Sequence, residues 1–291
     1  LEGYLGKINR VKKKKLIISF SGGRTSGYML WWIMNEWEDR HNWEIIVVFA
    51  NTGKEVEGTL FFVDECSWEW NIPIVWIEGY PSDKGKGWAV NAKVVSYETA
   101  ARKGEPFEAM IARLGIPSTE APFCSPQLKR EAIRSYAKQI GWKDYTVAIG
   151  MRLDEPARIN RTTKKQKLIY PLVDLNPKIK IEIIIWWAQQ TFDLNIPDED
   201  GNCDGCYKKS FKKLVRIMVR KPQTFEWWEE MTNKYKSSNP RQGEEKLPTN
   251  FYRGNKSVND IRELTKLSIS ELKQISMFEV LDGCQESCEA F

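Results

Sequence analysis

The strongest constraint on the fold is an apolar stretch, Leu16-Ile17-Ile18-Ser19-Phe20, that runs into the glycine pair Gly22-Gly23 and then into a helix-forming segment. A short apolar run, β-branched at Ile17 and Ile18, reads as a buried strand. The run repeats at Glu44 to Ala50, closed by Asn51-Thr52-Gly53, and again at Ile74 to Ile77 and Tyr145 to Ile149. Helical stretches separate these strands, around Tyr28 to Met34, Glu57 to Trp70 and Pro126 to Ile140. Strands alternating with helices predict a parallel sheet covered on both faces, because each crossover helix packs back onto the sheet. Residues 81 to 123 break the alternation; they read as loops with one helix near Phe107 to Leu114, a long interruption of the kind that covers a site. Leu168 to Leu172 reads as a short strand and Ile179 to Thr191 as a helix. From Asp198 the pattern changes to a cysteine-bearing loop, helices at Phe211 to Arg220 and Phe225 to Tyr235, a polar stretch to Lys256 and two short tail helices. The expected organisation is an α/β domain over residues 1–197 and a helical, cysteine-bearing region over 198–291.

The loop Ser21-Gly22-Gly23-Arg24-Thr25-Ser26 lies between the first strand and its helix. A helix N-terminus exposes unpaired N–H groups and a partial positive charge, and glycines let an anion approach the backbone. Three hydroxyls and the Arg24 guanidinium add donors. The loop is a candidate phosphate site; a glycine pair there also serves plain turn chemistry. It matches neither the Walker nor the dinucleotide glycine pattern.

Composition narrows the setting. No apolar run approaches the roughly 18 residues that span a bilayer, so no membrane partner is expected, and the chain reads as cytoplasmic. The net charge of +5, from 44 basic and 39 acidic residues, does not by itself establish a polyanionic partner. Basic residues cluster at Lys12 to Lys15, Lys164-Lys165-Gln166-Lys167, and Lys208-Lys209 with Lys212-Lys213; each reads as a solvated edge or as a polyanion contact. Six cysteines accompany a single histidine, His41, which nearly excludes mixed Cys/His zinc ligation. Cys203-Asp-Gly-Cys206 and Cys284-Gln-Glu-Ser-Cys288 have the spacing of thiolate metal ligands or redox pairs. Cys66, on a helix face with Phe62, reads as a small buried group. The thirteen tryptophans, several adjacent inside helices, read as core.

Four ordered segments carry a resemblance. The turn after the first strand resembles the PP-loop of adenine nucleotide α-hydrolases, in the phosphoadenosine phosphosulfate reductase-like branch. Val47-Val48-Phe49-Ala50-Asn51-Thr52-Gly53-Lys54-Glu55 is similar to that branch's second-strand segment. Gly150-Met151-Arg152-Leu153-Asp154-Glu155-Pro156-Ala157-Arg158 and Tyr170-Pro171-Leu172-Val173-Asp174 resemble its third and fourth. The resemblance implies a Rossmann-like fold whose loop grips the phosphates of ATP or of an adenylyl sulfate. It implies that Ser21, Gly22, Gly23, Arg24, Thr25, Ser26, Asn51, Thr52, Gly53, Gly150, Arg152 and Arg158 lie about the nucleotide. Arg24 and Arg152 would act on the phosphates, with Mg2+ as companion ion. As an alternative, Arg152 and Arg158 pair on the surface with Asp154 and Glu155. Many ATP-cleaving members carry an aspartate where this chain has Thr25.

Iron–sulfur members place cysteines where this chain has Cys124, Cys203 and Cys206, which implies a [4Fe–4S] cluster completed by a tail cysteine, taken as Cys288. Zinc on four cysteines and unligated thiols remain alternatives. The activity implied is ATP cleavage between the α- and β-phosphates with sulfur transfer to an acceptor, nucleic acid among the candidates. A cysteine desulfurase or a thiol reductant would supply sulfur or electrons. Two rivals are sulfonucleotide reduction, with Cys284 or Cys288 attacking sulfur, and nucleotide binding without catalysis. The tail lacks the Glu-Cys-Gly-x-His motif of sulfate-assimilating reductases.

Overall fold

A computed structural model describes residues 13–82, 89–119, 121–159, 167–201, 203–237, 249–267 and 271. Cys284, Cys288 and the last part of the tail lie outside the described residues. Six strands form one sheet: β1 (Lys14–Phe20), β2 (Trp43–Asn51), β3 (Ile74–Pro81), β4 (Val90–Val95), β5 (Thr146–Ile149) and β6 (Leu168–Ile169). Their order is β4-β3-β2-β1-β5-β6. All pairs are parallel except β3–β4, which is antiparallel.

The expectation of a wholly parallel sheet is therefore corrected: the sheet is mixed, with β4 as an antiparallel edge. Eight residues, 82–89, separate β3 from β4, fewer than the roughly dozen that a parallel crossover needs, which leaves antiparallel pairing. Its sequence, Val-Asn-Ala-Lys-Val-Val, buries Ala92, and Ser135 and Gln139 bond that residue's backbone. The strand expected through Leu172 stops at Ile169. Pro171, without an N–H and with φ already fixed, opens a short helix instead.

The helices are α1 (Arg24–Asn35), α2 (Glu57–Glu69), α3 (Glu105–Leu114), α4 (Ala132–Gln139), α5 (Pro171–Asp174), α6 (Lys180–Trp187), α7 (Phe211–Arg220), α8 (Glu226–Tyr235) and α9 (Val258–Leu264). A π-helical segment, Cys124–Glu131, leads into α4. Alternate strand residues serve opposite faces, as a period of two requires. Leu16, Ile18, Phe20, Val47 and Phe49 pack with α1, α2 and α6. Ile17, Val48, Ile77, Val147 and Ile149 pack with Ala132, Ile133 and Ala137 of α4. Both faces are thus covered. A third core joins α3 and the Cys124 segment to α7, α8 and α9, with Trp228, Tyr207 and Phe251 fully buried at its centre. Trp187 and Cys66 are buried in the first core, where their side chains pack as apolar groups. No helix among the described residues is long and apolar enough to cross a membrane.

Candidate anion and thiol site at the carboxyl ends of the strands

In open α/β sheets, ligands sit beyond the carboxyl ends of the strands where the strand order reverses. Here that place lies between β1 and β5. β2 continues the chain to one side of β1, and β5 pairs on the other. The turn after β1 occupies it. Gly22 has φ +78, and a Cβ there would lie 2.7 Å from Thr59 Cγ2 and 3.1 Å from Val63 Cγ2, so α2 packs where a side chain would stand. Gly23 is extended, at φ −106, and precedes α1. Among the described residues no side chain caps the first turn of α1, and no acidic residue lies in that turn. Its amides and the positive end of its dipole are available to an anion. The buried Ser26 hydroxyl shapes the turn: it donates to Gly23 O (3.0 Å), accepts from Ser21 N (3.2 Å) and lies 2.8 Å from Ser21 Oγ.

β5 closes the other side. A Cβ on Gly150 would sit 2.9 Å from Ser26 Cα, so this glycine lets the end of β5 cross the start of α1. Arg152 follows and reaches the loop, donating from Nη1 to Thr25 Oγ1 at 3.2 Å; it also meets Asp154 at 2.8 Å and Glu155 at 3.2 Å. Arg158 pairs with Glu155, and its buried Nη2 has no hydrogen-bond partner among the described residues. Arg24 directs its fork elsewhere, donating to both carboxylate oxygens of Asp193 (2.7 and 2.8 Å) and to Leu194 O (2.6 Å). Trp187 Nε1 donates to Arg24 O at 2.8 Å. Of the three arginines picked out in the sequence, Arg152 touches the loop from outside, while Arg24 fastens it to the segment after α6.

The end of β2 is a second buried polar centre. Asn51 Nδ2 donates to Glu78 Oε1 and Ala101 O, and Asn51 Oδ1 accepts from Gly53 N. Gly53, at φ +79, passes within 3.1 Å of Gly104 Cα as measured from a Cβ built on it. Glu55 Oε2 accepts from Thr52 N (2.9 Å) and Thr52 Oγ1 (2.7 Å). The other oxygen, Oε1, lies 3.8 Å from Lys129 Nζ; both side chains are almost wholly buried. Cys203 is brought here by a backbone bridge to Glu55, with Sγ 3.2 Å from Thr52 Oγ1 and 3.9 Å from Glu55 Oε1. Lys54 Nζ lies 4.9 Å from the centre of the Trp227 ring. Burial pulls its pKa below the usual lysine value, while Asp204, Cys203, Glu55 and Glu105 pull the other way. Sequence reasoning missed the parts played by Glu55, Glu78, Lys129 and Asp193. The signal for Glu55 was its place three residues after Thr52, the spacing at which a carboxylate returns to a backbone N–H.

Cys203 and Cys206 are buried side by side. Cys124 Sγ lies 3.2 Å from Tyr207 Oη, next in sequence to Cys206. Thiols are suitable donors for a soft metal or cluster, but among the described residues no three such donors are gathered tightly enough to hold one. The described residues thus fit only part of a cluster's ligand set, and the tail cysteines fall outside them.

No protein-family profile matches the chain. It is 31% identical over 289 residues to the uncharacterized nin region protein ORF290 of Escherichia phage lambda, covering 94% of each chain. It is 22% identical over 246 residues to the uncharacterized protein MJ0066 of Methanocaldococcus jannaschii, covering 80% of this chain and 44% of that one.

Proposed function

The chain belongs to the family of the phage lambda nin region protein ORF290, and for this member we propose a nucleotide-dependent enzyme of sulfur chemistry that holds adenine nucleotide phosphates in the turn between β1 and α1. One observation carries the reading: the glycine turn, the uncapped first turn of α1 and the Gly150-to-Arg152 segment converge where the strand order reverses. Such a place offers fixed N–H donors and a guanidinium to phosphate oxygens without side-chain rearrangement. The adenine assignment, and the phosphoadenosine phosphosulfate reductase-like superfamily with it, rests on the resemblance of the four segments.

In this reading an acceptor oxygen attacks the α-phosphorus of ATP. The bond to the bridging oxygen breaks, and pyrophosphate leaves with the bonding electrons. A sulfur nucleophile then displaces AMP from the adenylated acceptor. Arg152 and the α1 amides hold the phosphates; Thr52 and Glu55 orient the Cys203 thiol beside the β2 end. Mg2+ would accompany the nucleotide as counter-ion, and no residue of the turn is a carboxylate to ligate it. A [4Fe–4S] cluster would be held by Cys124, Cys203, Cys206 and Cys288 and would supply electron transfer.

The test is pyrophosphate release from ATP, measured with single-stranded RNA and DNA as acceptors, together with equilibrium ATP binding. Acceptor-dependent pyrophosphate release that is lost in Arg152→Met supports the reading. Tight ATP binding without turnover identifies a binding module instead. Sulfite released from an adenylyl sulfate, without pyrophosphate from ATP, identifies a sulfonucleotide reductase. Iron and sulfide counts after anaerobic purification of wild type and Cys203→Ser decide the cluster.

A further inference from the structure

Parallel strands begin at one edge of a sheet as they finish at the other, and here the starting edge is basic. β1 opens at Lys14-Lys15 after Lys13, Lys143 lies shortly before β5, and Lys167 stands immediately before β6. Lysines far apart in sequence thus gather at one edge, because β5 lies between β1 and β6. These five lysines, with Trp43 and Tyr145, line a pocket of about 550 Å³. Lys14 Nζ lies 5.2 Å from the Trp43 ring centre, and Lys15 Nζ lies 4.8 Å from that of Trp142. Two carboxylates are close: Asp144, paired with Lys167 at 2.6 Å, and Asp39, which accepts from Trp43 Nε1 at 2.8 Å. Among the described residues, Lys13, Lys14, Lys15 and Lys143 have no carboxylate within ion-pair distance. The recess therefore keeps a positive excess, with half-buried aromatic rings in its wall.

We propose that this pocket is a second anion site, which binds the backbone of a single-stranded nucleic acid. Lysine ammoniums are point charges suited to phosphates, and a groove that mixes cations with aromatic rings tracks a flexible strand whose bases have π-faces. The pocket is concave and has the volume of a small-ligand site, so it admits nucleotides of a flexible strand. A duplex is a convex rod and a bilayer a flat surface, and neither enters such a recess. β1 spans seven residues, so the pocket lies roughly 20 Å from the glycine turn. It acts as a tether, away from the chemistry of the turn, and its failure would leave the nucleotide reading intact.

The test measures binding of a fluorescent single-stranded oligonucleotide by anisotropy across a salt series. The triple variant Lys13→Glu/Lys14→Glu/Lys143→Glu is compared with wild type and with Lys212→Glu/Lys213→Glu on α7. Expected is at least a tenfold loss in the triple variant, with the log–log salt slope flattened by about 2, three contacts at roughly 0.7 each. The α7 variant should stay within twofold of wild type. Unfolding midpoints and ATP binding of the triple variant should equal those of wild type, which separates this site from the turn. The proposal is overturned if the triple variant binds like wild type, if the α7 variant loses as much, or if wild type binds anionic vesicles but no oligonucleotide.

Discussion

A methyl group added at Gly22 would meet Thr59 Cγ2 at 2.7 Å in a left-handed backbone, whereas one added at Gly23 would find its nearest neighbour, Ser21 Oγ, at 3.9 Å. The two substitutions should therefore fail differently. Gly22→Ala combines an unfavourable φ with overpacking and should cost about 2–4 kcal/mol in urea unfolding. Gly23→Ala should unfold like wild type and yet bind ATP at least tenfold more weakly, since its methyl stands where a phosphate would approach; ATP affinity equal to wild type would remove the turn from the site. Lys54 makes a pH-dependent prediction. Burial lowers its folded pKa beneath the ordinary 10.5, so between those two values the unfolded chain holds more protons and stability rises with pH. At pH below that window the buried charge carries its full penalty. Lys54→Met should lose the alkaline rise, as read from urea midpoints measured at successive pH values up to 10.5.

At the scale of elements, α6 supports the turn through α1. Trp187 packs on Gly27 so closely that a Cβ there would meet Trp187 Cζ2 at 2.8 Å, and its indole N–H holds Arg24 O. In Gly27→Ala, the gain in helix propensity is about 1 kcal/mol, and displacement of a fully buried indole costs about 1–3 kcal/mol. The variant should therefore be less stable by about 1 kcal/mol in urea unfolding and should bind ATP somewhat more weakly, by less than Gly23→Ala. A more stable variant would mean that the indole yields freely. Elements of this kind were legible where apolar periodicity ran long: β1, β2, α2 and α7 lie where the pattern put them. β4 was not, because a six-residue edge strand with one buried side chain has almost no periodicity of its own. Its existence is set by the unpaired edge of β3. The π-helical start at Cys124 was equally hidden, since a wider turn and an α-turn leave the same apolar spacing over eight residues.

Over the whole molecule, the helices after residue 198 share a core with α3 and the Cys124 segment. Phe107, Met110, Ile111, Phe123 and Leu128 are covered by side chains from α7, α8 and α9. A chain ending at residue 197 should consequently bind hydrophobic dye and lose cooperative unfolding; a sharp two-state transition would show that this core is dispensable. The site divides along the same line. Ser21 to Ser26, Gly150 and Arg152 could be read from sequence because each is adjacent to its own strand end. The tie between Arg24 and Asp193, the Glu55–Lys129 pair and the meeting of Thr52 with Cys203 depend on partners tens to more than a hundred residues away. Only folding brings these together.

β1, seven residues long, begins in the lysine-lined recess and ends at the glycine turn. A single-residue insertion inside it would slip its register against both β2 and β5 and send each side chain beyond the insertion to the opposite face. Both proposed anion sites would then be dislocated by one event, whereas an insertion in a connecting loop would disturb one of them. Variation in length among relatives is accordingly expected in the connections, and the span from Lys14 to Gly23 should keep its residue count.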